Sequence, residues 1–132
     1  MKDIIQIISN LEGMRFIKPA STEEIKSAEA ALNVKFASDY VRYVEKYGVI
    51  SARGIELTGV TRHERLSVVC VTNKERSLNA KIPSNMYVIE NIAIDGMLAL
   101  QDESGKIYMI TPNGNPELKY NSLCEYVENS KF

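Results

Sequence analysis

Residues 21–48, STEEIKSAEAALNVKFASDYVRYVEKYG, constrain the fold of this chain more than any other stretch. They read as two short amphipathic helices joined by a tight connector. Ser21 and Glu24 have the spacing of a capping box, in which the hydroxyl accepts from a first-turn N–H and the carboxylate reaches back to the Ser21 N–H. Ile25, Ala28 and either Ala31 or Leu32 follow at helical spacing and make one apolar face. Asn33 suits the left-handed position past a helix end, because its short side chain tolerates positive φ. Val34 and Phe36 lead to a second helix, on which Tyr40, Val41, Val44 and Tyr47 share a face and which Gly48 stops. Tyr43 falls nearer the flank and is expected as an exposed anchor. The hairpin carries no catalytic chemistry; it asks only for a surface to pack on.

The rest of the chain supplies that surface. At 132 residues it is read as one domain, residues 1–132, large enough to bury a core without cross-links. Ile4, Ile5, Ile7, Ile8 and Leu11 form the stripe of a short helix ending near Gly13. Residues 53–60 have the spacing of a strand, while SVVCV at residues 67–71 fits either a buried strand or a helix start. Thr72 with Glu75 predicts a helix over residues 73–78, stopped before Pro83. Three strands are predicted at 86–91, 97–101 and 106–111, separated by Asp95-Gly96 and by a turn ending in Ser104-Gly105, whose glycines supply positive φ. Residues 117–120 add a short edge strand, and Ser122 with Glu125 opens a final helix through Glu128. This order predicts an α+β fold, with N-terminal helices and a C-terminal helix packed against a mostly antiparallel sheet.

Charge and chemistry narrow the function. The net charge of −1 makes no electrostatic case for nucleic acid or an anionic membrane surface. Residues 85–132 carry three Lys/Arg against seven Asp/Glu, and residues 36–84 carry eight against five. That is either ordinary scatter or an acidic sheet face that meets a basic partner. Cys70 and Cys124 are too few and too far apart for a disulfide framework or a metal site; both are expected as reduced core thiols, which favours the cytosol. The N-terminal apolar run is too short for a signal peptide or a membrane span, so a cytoplasmic protein is expected.

His63, the single histidine, has Glu64 beside it but no nucleophile placed to use it, and reads as a solvated loop residue. Asp95 and Asp102, with Glu90 and Glu103 nearby, would serve a glycosidase only at a fixed separation, and turn chemistry is reason enough for aspartates at hairpins. No phosphate-binding loop is present. The basic cluster Arg62, Arg65, Lys74 and Arg76 lacks the interleaved aromatics of a single-strand binder. A non-enzymatic protein with no metal and no cofactor is the expectation.

Several ordered pieces carry a family resemblance. Ala28-Glu29, Leu32-Asn33, Phe36-Ala37 and Asp39-Tyr40 precede the aromatic-rich turn to Gly48. Gly54-Ile55-Glu56-Leu57, Tyr87-Val88-Ile89-Glu90, Asp95-Gly96, Leu98-Ala99-Leu100, Gly105-Lys106-Ile107-Tyr108 and Ser122-Leu123-Cys124-Glu125-Tyr126 follow. Together, over roughly residues 21 to 128, they resemble the SUKH superfamily of Smi/Knr-type domains. The family usually has Gly where this chain has Asn33 and Pro where it has Ala37, two physically mild departures.

The resemblance implies an immunity protein that binds a cognate bacterial toxin domain, commonly one that acts on nucleic acid, and occludes its active site. The partner is then the C-terminal toxin domain itself, with no direct nucleic-acid or membrane contact, and the protein a monomer or weak dimer. Glu56, Glu90, Asp95, Asp102 and Glu103 are the expected acidic contacts, with Tyr43 as anchor. The alternative is a non-catalytic regulatory scaffold, as in the larger fungal members that act in cell-wall signalling. A third reading, a small hydrolase or ligand-binding domain, would need a sheet-face pocket with convergent carboxylates.

Overall fold

Side-chain caps set where four of the five helices begin. The computed structural model describes residues 3–92 and 96–129. Helix α1 (Ile4–Ser9) starts where the Asp3 side chain accepts from the Ile5 N–H at 3.2 Å, and it buries Ile4, Ile7 and Ile8. A two-residue strand, β1 (Arg15–Phe16), follows. Helix α2 (Thr22–Leu32) opens with the expected capping box: Ser21 Oγ accepts from the Glu24 N–H at 3.1 Å and Glu24 Oε1 from the Ser21 N–H at 2.9 Å. The Ser21 backbone and hydroxyl donors hold the exposed Glu24 carboxyl below its usual range. Ile25, Ala28 and Leu32 face inward, and Asn33 closes the helix at φ 54°, in the left-handed region.

Helix α3 (Ser38–Tyr47) buries Tyr40, Tyr43, Val44 and Tyr47. The expected stripe with Val41 is therefore rotated: Val41 is half-buried and Tyr43 is inside. Gly48 ends the helix at φ 73°, and a Cβ there would lie 1.9 Å from the Lys18 carbonyl oxygen. Gly59 approaches just as closely, since its Cβ would fall 1.7 Å from the Gly48 carbonyl oxygen. Two chain segments thus cross at a contact that only glycine permits.

Strands β2 (Ile50–Ala52) and β3 (Ile55–Glu56) pair antiparallel, and β2 also pairs with β1. The strand expected over 53–60 is accordingly shorter, because Arg53 and Gly54 make the turn of this hairpin. Beyond it, the Thr58 N–H donates to the Ile89 carbonyl at 2.8 Å and ties this three-stranded sheet to the next. Helix α4 (Val68–Leu78) settles residues 67–71 as a helix start: Ser67 is its cap and accepts from the Cys70 N–H at 3.3 Å. Thr72 is consequently not a cap. It is buried in mid-helix, and its hydroxyl accepts from the Val88 N–H at 2.9 Å. Cys70 is exposed rather than a core thiol, because the inner face of α4 is taken by Val68 and Thr72.

Strands β4 (Tyr87–Asn91), β5 (Leu98–Gln101), β6 (Ile107–Ile110) and β7 (Glu117–Tyr120) form an antiparallel meander in that order. Helix α5 (Leu123–Asn129) closes the fold, with Ser122 Oγ accepting from the Glu125 N–H at 3.1 Å. The period of two along a strand sends alternate residues to two different cores. Tyr87, Ile89, Ala99 and Ile107 join the helices in the main core. Val88, Leu98, Leu100 and Ile110 meet Ile82 and Met86 in a smaller one, against which Val71 of α4 packs. The fold is α+β, and the central strands of the larger sheet are covered on both faces.

Candidate functional site

Two polar networks stand out, one sealed and one open. In the sealed one, the rings of Phe36, Tyr40, Tyr43 and Tyr87 meet edge-on or tilted, with centroids 4.8 to 5.5 Å apart. Thr58 Oγ1 donates its single proton to the Val88 carbonyl at 2.8 Å, so Tyr40 is the donor in the 3.0 Å contact between the two hydroxyls. Tyr43 donates to the Thr58 carbonyl at 2.7 Å and accepts from the Ile50 N–H at 3.1 Å. Tyr87 accepts from the Ala37 N–H at 2.9 Å and donates to Gln101 Oε1 at 2.7 Å. The Gln101 amide donates to Asp39 Oδ1 and to the Gly105 carbonyl, both at 3.1 Å, and Asp39 Oδ2 accepts from the Leu123 N–H that opens α5 at 2.9 Å. Burial pushes the hydroxyls of Tyr40, Tyr43 and Tyr87 up and keeps them protonated donors.

The open network lies where β3 passes β4. Glu90, 8% exposed, accepts from the Glu56 N–H at 2.7 Å and from the hydroxyl of Tyr126, which α5 delivers. Burial raises the Glu90 carboxyl above its usual range, and the neighbouring Glu56 charge adds to this while the two donors oppose it. Glu56 itself is exposed and its carboxylate pairs with Arg65 at 2.7 and 3.4 Å. A cavity of about 640 Å³ opens over Glu90, walled by Ile55, Met109, Tyr120 and Tyr126. Another, of about 710 Å³, lies toward α4 and shares Glu56 and Asn91 with it.

The residues expected to meet a partner do not form one surface. Tyr43 is fully buried, which corrects its reading as an exposed anchor: α3 packs against α1, α2 and α5, so its apolar face is broader than one stripe. Glu90 sits at the floor of the groove and Glu56 on its rim. Asp102 and Glu103 lie beyond the Tyr87–Gln101 pair, whereas Glu90 pairs with Ala99 toward the opposite end of β5. The four residues of β5 span roughly 10 Å, so the two acidic groups are held apart. Asp102 is engaged in its turn, accepting from Ser104 Oγ at 2.7 Å and the Lys106 N–H at 3.1 Å, while Glu103 is exposed. Asp95 lies outside the described residues. His63 is exposed in the loop before α4, as expected.

Sequence reasoning missed Thr58, Thr72, Gln101, Asp39 and Tyr126 as members of these networks. Only Tyr126, three residues after Leu123 on the same helical face, left an inward-facing signal. The sequence matches the family described as SMI1-KNR4 cell-wall, SUKH_5, over residues 1–131. The chain belongs to the SMI1-KNR4 family. No curated protein matches it.

Within this SMI1-KNR4 chain, Asn33 does the work of the glycine usual at the connector, at φ 54°, and Ala37 precedes α3 without a side-chain cap. Among the described residues, no group of three or more His, Cys, Asp or Glu side chains is placed to hold a metal ion. No helix among them is long and apolar enough to cross a membrane.

Proposed function

We propose that this chain is an immunity protein that binds a cognate bacterial toxin domain, one that acts on nucleic acid, and neutralises it by covering its active site. The observation that carries the reading is the SMI1-KNR4 match across residues 1–131. The mechanism is steric and electrostatic rather than catalytic: a single-domain, cytoplasmic protein held non-covalently on its partner. Glu56, Asp102 and Glu103 are the members of the expected acidic set left accessible, in two separate places, and exposed acidic charge at either favours a basic partner surface.

The test is protection. The toxin domain encoded beside this gene is expressed in a host with and without this protein, and growth is followed together with co-purification. Rescue with a recovered complex is the expected result. Toxicity that persists with no complex overturns the reading and favours the regulatory scaffold.

A further inference from the structure

The groove over Glu90 holds a buried carboxyl group that, among the described residues, has no cationic neighbour. Glu90 is 8% exposed and carries two hydrogen bonds, from the Glu56 N–H and the Tyr126 hydroxyl, both neutral donors. No cationic side chain among the described residues faces it, and Arg65, on the adjoining loop, is spent on the Glu56 carboxylate. Burial holds such a carboxyl toward its neutral form, and a cation brought beside it would favour the carboxylate. A carboxylate offers about four lone-pair directions, so two remain after the existing bonds.

The walls narrow the chemistry of what would join it. Tyr120 and Tyr126 stand edge-to-face with centroids 5.7 Å apart, and Ile55 and Met109 supply apolar surface beside them. The space of about 640 Å³ is ample for a single long side chain. A planar, weakly hydrated cation on an aliphatic stem matches this combination: the stem lies on the apolar wall, the plane stacks on a tyrosine ring, and the fork addresses the carboxylate. A lysine ammonium is more strongly hydrated and lacks the plane.

We propose that the cavity between the β2–β3 hairpin and the meander sheet receives an arginine side chain of the partner protein, with Glu90 as its carboxylate and Tyr120 as its stacking face. The site rests on the reading of this chain as a protein-binding domain and gives that reading an anchor. Glu56 and Arg65 form the rim, and their exposed ion pair is free to rearrange when the partner arrives.

The probe is N-acetyl-arginine methylamide, titrated into the isotope-labelled full chain and followed by amide NMR shifts. N-acetyl-citrulline methylamide, neutral but of the same shape, is the control. The expected result is saturable, millimolar binding of the arginine compound, with shifts confined to Ile55, Glu56, Glu90, Asn91 and Tyr120. The citrulline compound should give none. Tyr120→Ala, at a half-exposed position, should weaken binding by about three- to fivefold, and it remains informative if Glu90→Gln fails to fold. Absence of saturable shifts, equal shifts with citrulline, or indifference to Tyr120→Ala overturns the site. Arginine binding without any toxin complex leaves the site standing and removes the immunity reading. A toxin complex unaffected by Tyr120→Ala does the reverse.

Discussion

The tyrosine network beneath α3 and the Glu90 groove are built from similar parts and do opposite things. Around Tyr43, Thr58 and Tyr87, every buried hydroxyl and amide meets a neutral or hydrogen-bonded partner contributed by the protein itself. Around Glu90, a buried carboxyl meets two donors and, among the described residues, no cation, and its environment opens into a cavity. The first arrangement fixes the orientation of α3 against both sheets and leaves nothing to offer. The second leaves a buried carboxyl with unused acceptor capacity beside open space.

Four substitutions sharpen or break this contrast. The largest effect is expected from Tyr87→Ala, which empties the centre of the sealed network and should cost about 3–5 kcal/mol in urea unfolding; a loss below about 1 kcal/mol would show that the ring cluster does not hold the sheets together. Tyr43→Phe keeps the ring but leaves the Ile50 N–H and Thr58 carbonyl unpaired, for an expected cost of about 2 kcal/mol.

Glu90→Gln is the informative substitution in the open region. The folded carboxyl titrates above its ordinary 4.5, so its favourable contribution is complete below that pH and is lost as pH rises through the folded value. The variant should be less stable than the parent by about 1 kcal/mol at pH 4, through the lost acceptor, with the gap closing or reversing by pH 7. A gap that widens with pH would mean that Glu90 is stabilised as the anion, contrary to the comparison. The smallest effect belongs to Arg65→Ala, whose exposed pairing with Glu56 should leave the urea midpoint unchanged.

What the sequence revealed divides along a related line. The capping box at Ser21, the Ser122 cap of α5, the left-handed Asn33 and the three-strand meander were legible because each is set by local chemistry or by a period of two; at Ser122 the Glu125 carboxylate accepts from the Asn121 N–H instead of closing the box. Strand β1 was invisible, since two residues show no period and exist as a strand only through β2. The start of α4 was ambiguous because SVVCV is β-branched and apolar, and its cap at Ser67 was masked by the stronger-looking Thr72–Glu75 spacing. The burial of Tyr43 and of Glu90 was not foreseen for one reason: burial of an amphipathic or charged residue depends on elements far away in sequence. Glu90 is covered by Tyr126, 36 positions along the chain. The acidic set likewise could not be resolved into two groups without the β4–β5 register.

Stoichiometric occlusion of a toxin domain, as proposed, is checked by titration. Purified protein is added in steps to a fixed amount of the toxin domain, and nucleic-acid cleavage or modification is read at each step. A linear fall that ends at an equimolar ratio and is reversed when the complex is dissociated is expected of occlusion. Activity that is untouched at molar excess, or abolished at a small fraction of one equivalent, would contradict it.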